Sequence, residues 1–77
     1  MNISFNINIE ENDANAIIDE INKLGIKTAI INGIPSKDAI SGNMIQLITV
    51  LDCDRKSFNR IKNRKSVRKL ITIRSNN

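Results

Sequence analysis

Ile3, Phe5, Ile7 and Ile9 alternate with Asn2, Ser4, Asn6 and Asn8 at the start of the chain. A period of two is what a strand with one buried and one solvated face requires, so this segment is predicted to be a strand with Phe5 inside. The period then changes. Glu10–Glu11–Asn12–Asp13 is acidic, suits the positive end of a helix dipole and offers two N-cap residues. Ala14, Ile17, Ile18, Ile21 and Leu24 follow at helical spacing and form one apolar stripe. Asp19 and Lys23 make an i,i+4 pair on its outer side, and Gly25 stands where a C′ glycine closes a helix.

Lys27 to Ile34 reads as a second strand, ended by Gly33 and Pro35, and Ser36 to Asn43 as a turn or hairpin loop. Met44 to Leu51 reads as a third strand with apolar residues on both faces: Ile45, Leu47 and Leu51 on one, Met44, Ile48 and Val50 on the other. Asp52 and Asp54 are N-cap candidates for a second helix from Arg55 to about Arg64, with Phe58 and Ile61 on its thin apolar face. Val67, Ile71 and Ile73 predict a last strand through Arg74, with Ser75–Asn77 as a frayed tail.

The predicted order is strand–helix–strand–strand–helix–strand in a single domain over residues 1–77. Two right-handed strand–helix–strand units imply an α+β, ferredoxin-like βαββαβ fold: a four-stranded antiparallel sheet with two helices on one face. The first and third strands then lie in the centre. The other face would present Asn6 and Asn8 beside one of the two residue sets of the third strand, read here as Met44, Gln46, Ile48 and Val50. An open, partly apolar face on a small protein is usually an interface, so a homo-oligomer, dimer or tetramer, is expected.

Composition supports a sheet and narrows the setting. Seventy-seven residues are near the lower limit for unaided folding, so assembly is a plausible source of stability. Ile dominates the apolar residues, while Trp and Tyr are absent. The single cysteine, Cys53, cannot form an internal disulfide; with no signal peptide and no window apolar enough to span a membrane, a cytoplasmic protein is expected.

Charge is lopsided. Residues 1–51 carry three lysines and six acids, a net of −3, and residues 52–77 carry nine basic residues and two acids, a net of +7. Arg60, Lys62, Arg64, Lys65, Arg68 and Lys69 form the centre of this basic segment, which suits a nucleic-acid backbone. The same residues also suit a solvated helix face and a guarded edge strand. RNA recognition by base stacking needs aromatic residues on the central strands; the third strand has none, and Phe5 is on the buried register.

Little points to catalysis. The chain has no His, no phosphate-binding glycine loop and no zinc-ligand set, so neither an enzyme nor a cofactor is expected. Cys53 is near a helix start, where a thiolate can be favoured, but Asp52 and Asp54 flank it and oppose ionisation. Unpaired N–H groups at the first helix start, around Glu11, Asn12, Asp13 and Ala14, could receive a carboxylate, or Asn12 or Asp13 could cap the helix and occupy those donors.

The element order, Ile17–Ile18–Asp19–Glu20–Ile21–Asn22–Lys23–Leu24–Gly25 leading into the second strand, and the ending Ser66–Val67–Arg68–Lys69–Leu70–Ile71–Thr72–Ile73 resemble the ACT-like superfamily of small regulatory domains. Asn32–Gly33–Ile34–Pro35, a loop, and then Met44 to Leu51 are similar to the stand-alone regulators associated with iron-only hydrogenase systems. The resemblance implies a non-enzymatic module that binds an amino acid or similar effector at an oligomer interface, through Glu11, Asn12, Asp13 and Ala14. The sequence departs from the family's Asp-x-x-Gly turn, since Ala14–Asn15–Ala16 follow Asp13. The alternative expectation is an RNA- or DNA-binding protein, similar to ribosomal ferredoxin-like RNA binders, that uses the basic segment.

Overall fold

A computed structural model describes residues 2–23 and 29–76. The fold is α+β, one antiparallel sheet with two helices. Its elements are β1 (Asn2–Glu10), α1 (Glu11–Lys23), β2 (Ile30–Asn32), β3 (Ser36–Lys37), β4 (Met44–Asp54), α2 (Arg55–Lys62) and β5 (Val67–Asn76). The strands run in the order β2-β4-β1-β5, with β3 also paired to β4. Leu24 and Gly25, expected to close the first helix, and the start of the expected second strand are outside the described residues.

The alternation in β1 decides the core. Ile3, Phe5, Ile7 and Ile9 are at most 2% exposed, and each contributes about 1.5–3 kcal/mol relative to an exposed side chain. Ala14, Ile17 and Ile21 of α1, Ile48, Val50 and Cys53 of β4, and Phe58 and Ile61 of α2 join them in one cluster. Both helices therefore cover the same face of the sheet. The Phe5 and Phe58 rings meet edge to face, 5.1 Å between centroids, which fixes α2 over the middle of β1.

The sheet has five strands where the sequence predicts four. The segment expected as a turn or hairpin loop begins with β3, whose Ser36 and Lys37 pair with Ile45 and Met44. Gly33–Ile34–Pro35 separates β2 from β3, because Pro35 has no N–H to donate to the ladder. The edge stays tied to β4 there: the Gly33 N–H donates to the Leu47 carbonyl at 2.8 Å, and Gln46 Nε2 donates to the Gly33 carbonyl at 2.6 Å.

Four boundaries also move. Helix α1 starts at Glu11 directly after β1, so no loop separates them. Strand β4 runs on to Asp54, whose side chain caps α2 by accepting from the Ser57 N–H, and α2 ends at Lys62. Strand β5 extends through Ser75 and Asn76, which pair with Ile3 and Asn2, so the tail expected to fray is mostly strand.

Candidate functional site

The main correction to the sequence reading is which face of β4 is open. Ile48 and Val50, expected at an oligomer seam, are 0% and 1% exposed beneath the helices. Gln46 is on that inner face too, 9% exposed, with its amide spent on the Gly33 and Leu47 carbonyls. Met44 is half-exposed and lies beside Glu10, Glu11 and Asn12. The residues that do share a face with Asn6 and Asn8 are their register partners Thr49 and Leu47 on β4, and Ile71 and Lys69 on β5. Thr49 Oγ1 donates to Asn6 Oδ1 at 2.7 Å and ties the centre of this face together.

The open face has two unlike ends. Toward the start of β1 it is aliphatic: Ile31 pairs with Thr49 and Ile71 with Asn6, and the exposed Leu51 and Ile73 follow two residues further along β4 and β5. Toward the end of β1 the β3–β4 turn folds over it. Asp38 builds that turn, its carboxylate accepting from Ser41 Oγ at 2.7 Å and from the Ile40 and Ser41 N–H groups, and these bonds hold its pKa below the usual carboxylate value. Gly42 completes it at φ +76°, the left-handed region that glycine enters without strain. Ile45 lies underneath, 8% exposed although it is outside the main core cluster. The groove between turn and sheet has a volume of about 590 Å³ and is lined by Asn8, Lys37, Ile40, Ile45, Arg68 and Lys69 among others.

The start of α1 is not an open binding loop. Asp13 receives Arg64 Nε at 2.9 Å and Arg64 Nη2 at 2.6 Å, and also the Ser66 hydroxyl. The Arg64 hydrogen bonds hold the Asp13 carboxyl below its ordinary pKa, against the opposing effect of burial. Ala14 is 4% exposed, inside the core. Only Glu11 and Asn12 of the expected ligand residues face solvent.

The basic segment is partly neutralised from within. Arg64 Nη1 donates to Glu20 at 3.0 Å, Arg60 pairs with the other oxygen of Glu20 at 3.2 Å, and Arg68 pairs with Glu10. Lys62 lies 5.8 Å from the Phe58 ring centroid, while Lys65 and Lys69 are exposed with no ion pair among the described residues. Cys53 is fully buried, and burial, with Asp54 and Asp52 adding to it, pushes its thiol up to about 11. No group of three or more His, Cys, Asp or Glu side chains among the described residues could hold a metal, and no helix among them is long and apolar enough to cross a membrane. No protein-family model, curated protein or solved structure matches the chain.

Proposed function

We propose that this chain is a small, non-enzymatic regulatory module, ACT-like in character, that assembles into a homo-oligomer through the open face of its sheet and binds a small effector. One observation carries the reading: Ile31, Leu47 and Ile71 share by register the face turned away from both helices, and with Leu51 and Ile73, two residues beyond Thr49 and Ile71, they are between 42% and 56% exposed. Covering them contributes roughly 1 kcal/mol for each half-exposed side chain, a large sum for a chain with one small core. In this reading Asn6 and Asn8 belong to the proposed seam, since their register partners Ile71 and Leu47 are among those side chains. The ferredoxin-like reading of the fold draws support from β2 and β3 sharing one side of β4, so that together they stand for one edge strand. Nucleic-acid binding through Arg60, Arg64 and Arg68 is less favoured, because Glu20, Asp13 and Glu10 already balance those charges.

Sedimentation equilibrium tests the assembly. The unaltered chain is expected to be a dimer or larger at tens of micromolar, and Leu47→Asp and Ile71→Asp, both at exposed positions, to be monomers with unchanged circular dichroism. A strict monomer at high micromolar concentration defeats the proposal.

A further inference from the structure

The two ends of the open face invite different occupants. The aliphatic end suits a second copy of the chain. The groove under the β3–β4 turn does not: its walls carry Lys37 from β3, Arg68 and Lys69 from β5 and the Asn8 amide from β1, around an apolar floor at Ile45 and an apolar rim at Ile40.

We propose that this groove binds a small organic anion, a carboxylate or phosphate headgroup on an apolar body. The inference rests on the effector-binding part of the reading above and gives that effector a place and a chemistry. Lys69 pairs in register with Asn8, so its ammonium and the Asn8 amide are presented from the same face of neighbouring strands. Among the described residues neither Lys37 nor Lys69 has an ion pair and the Asn8 side chain has no hydrogen bond. Asp38, the acid within the groove, keeps its negative charge but forms no ion pair with either lysine among the described residues. Its oxygens are occupied by the Ser41 hydroxyl and the turn's own N–H groups, and Arg68, paired with Glu10, also acts on it through space. Lys37, Lys69 and Arg68 against Asp38 and Glu10 still leave a net positive charge beside the apolar floor. Headgroup and body are therefore both recognised, the headgroup by Lys69 and Asn8 and the body by Ile45 and Ile40.

The volume fits this class, since small-molecule sites run from roughly 300 to 1,000 Å³. Position also separates this site from the start of α1, where Arg64 and Ser66 occupy Asp13 and Ala14 is in the core. The groove instead borders the aliphatic end at Leu47, so a ligand there would sit at the rim of an assembled seam.

Titration of the ¹⁵N-labelled chain with hexanoate, hexyl phosphate, inorganic phosphate and hexanol tests it. Hexanoate or hexyl phosphate is expected to shift the Asn8, Ile45 and Lys69 amides saturably, and the better of the two identifies the headgroup. Inorganic phosphate and hexanol are each expected to bind at least about tenfold more weakly. Lys69→Gln should weaken binding about fivefold and Lys37→Gln less, both at exposed positions that leave folding unchanged. Shifts centred on Glu11 and Asn12, equal binding of hexanol, no saturation by about 10 mM, or intersubunit contacts at Ile40 and Ile45 each overturn the proposal. Sedimentation of the same samples keeps the two readings apart. A monomer that binds hexanoate in the groove defeats the assembly and keeps the site, and an oligomer indifferent to every probe does the reverse.

Discussion

Arg64 grips Asp13 with two hydrogen bonds across 51 positions of sequence, Nε to one carboxylate oxygen and Nη2 to the other. The contact pins the start of α1 to the segment between α2 and β5. The Ser66 hydroxyl joins the same carboxylate, and the Ser66 carbonyl accepts from the Glu10 N–H at 3.0 Å, where β1 becomes α1. Bidentate Arg–carboxylate pairs are among the stronger polar contacts, and this one is only about a quarter to a third exposed on either side.

Asp13→Ala and Arg64→Ala are each expected to destabilise the fold by about 1–2 kcal/mol, with the double variant less destabilised than the sum. Urea denaturation of the cycle checks this. Strict additivity would mean that the pair contributes nothing beyond its separate side chains.

The same pair sets an acid limit. Asp13 ionises below its ordinary value of 3.8 in the folded chain, so its extra stabilisation is complete above that value. It is lost as pH falls through the lower, folded value, while Arg64 stays charged throughout. Urea midpoints between about pH 6 and pH 2 should therefore fall less steeply in Asp13→Asn than in the unaltered chain. Parallel profiles would remove Asp13 from the acid response.

Cys53 is expected to be inert in the folded protein. With the thiol raised to about 11, only about one molecule in a thousand carries a thiolate at pH 8, and the group is fully buried as well. Labelling with a thiol-reactive disulfide should be at least about a hundredfold slower in native buffer than in denaturant. Rapid native labelling would show that the β4–α2 junction opens readily.

Gly33 keeps β4 and its edge close. A Cβ there would stand 3.2 Å from Leu47 Cβ and 3.3 Å from the Leu47 carbonyl oxygen, and β4 is held between partners on both sides and cannot retreat. Gly33→Ala should cost about 1 kcal/mol, seen as a drop of roughly 4–8 °C in Tm. Gly42→Ala meets nothing in space but inherits a positive φ, and a similar cost there would come from backbone strain alone.

The sequence by itself determined the elements whose pattern has one solution. Only one register buries Ile3, Phe5, Ile7 and Ile9 together, and the stripe of Ala14, Ile17 and Ile21 has one inward side. Strand β4 was different. Each of its two alternating sets holds one polar residue, Gln46 or Thr49, among aliphatic ones, so the pattern is symmetric and cannot say which set goes under the helices. Tertiary structure broke the tie through the register with β1, which sets Gln46 opposite Ile9 and Ile48 opposite Ile7, and through the bulge near Leu51 that returns Cys53 to the core. It also decided the fate of the charges. Asp13 and Arg64 look in sequence like an open ligand residue and an open phosphate contact, because neither carries a local sign of the other. Only the chain's return at Ser66 brings them within hydrogen-bonding distance, and each removes the other from the roles their types suggest. The groove under the β3–β4 turn is legible only in part for the same reason: Pro35 and Gly42–Asn43 mark the turn, but Asn8 and Lys69 reach it through sheet pairing, which no local pattern encodes.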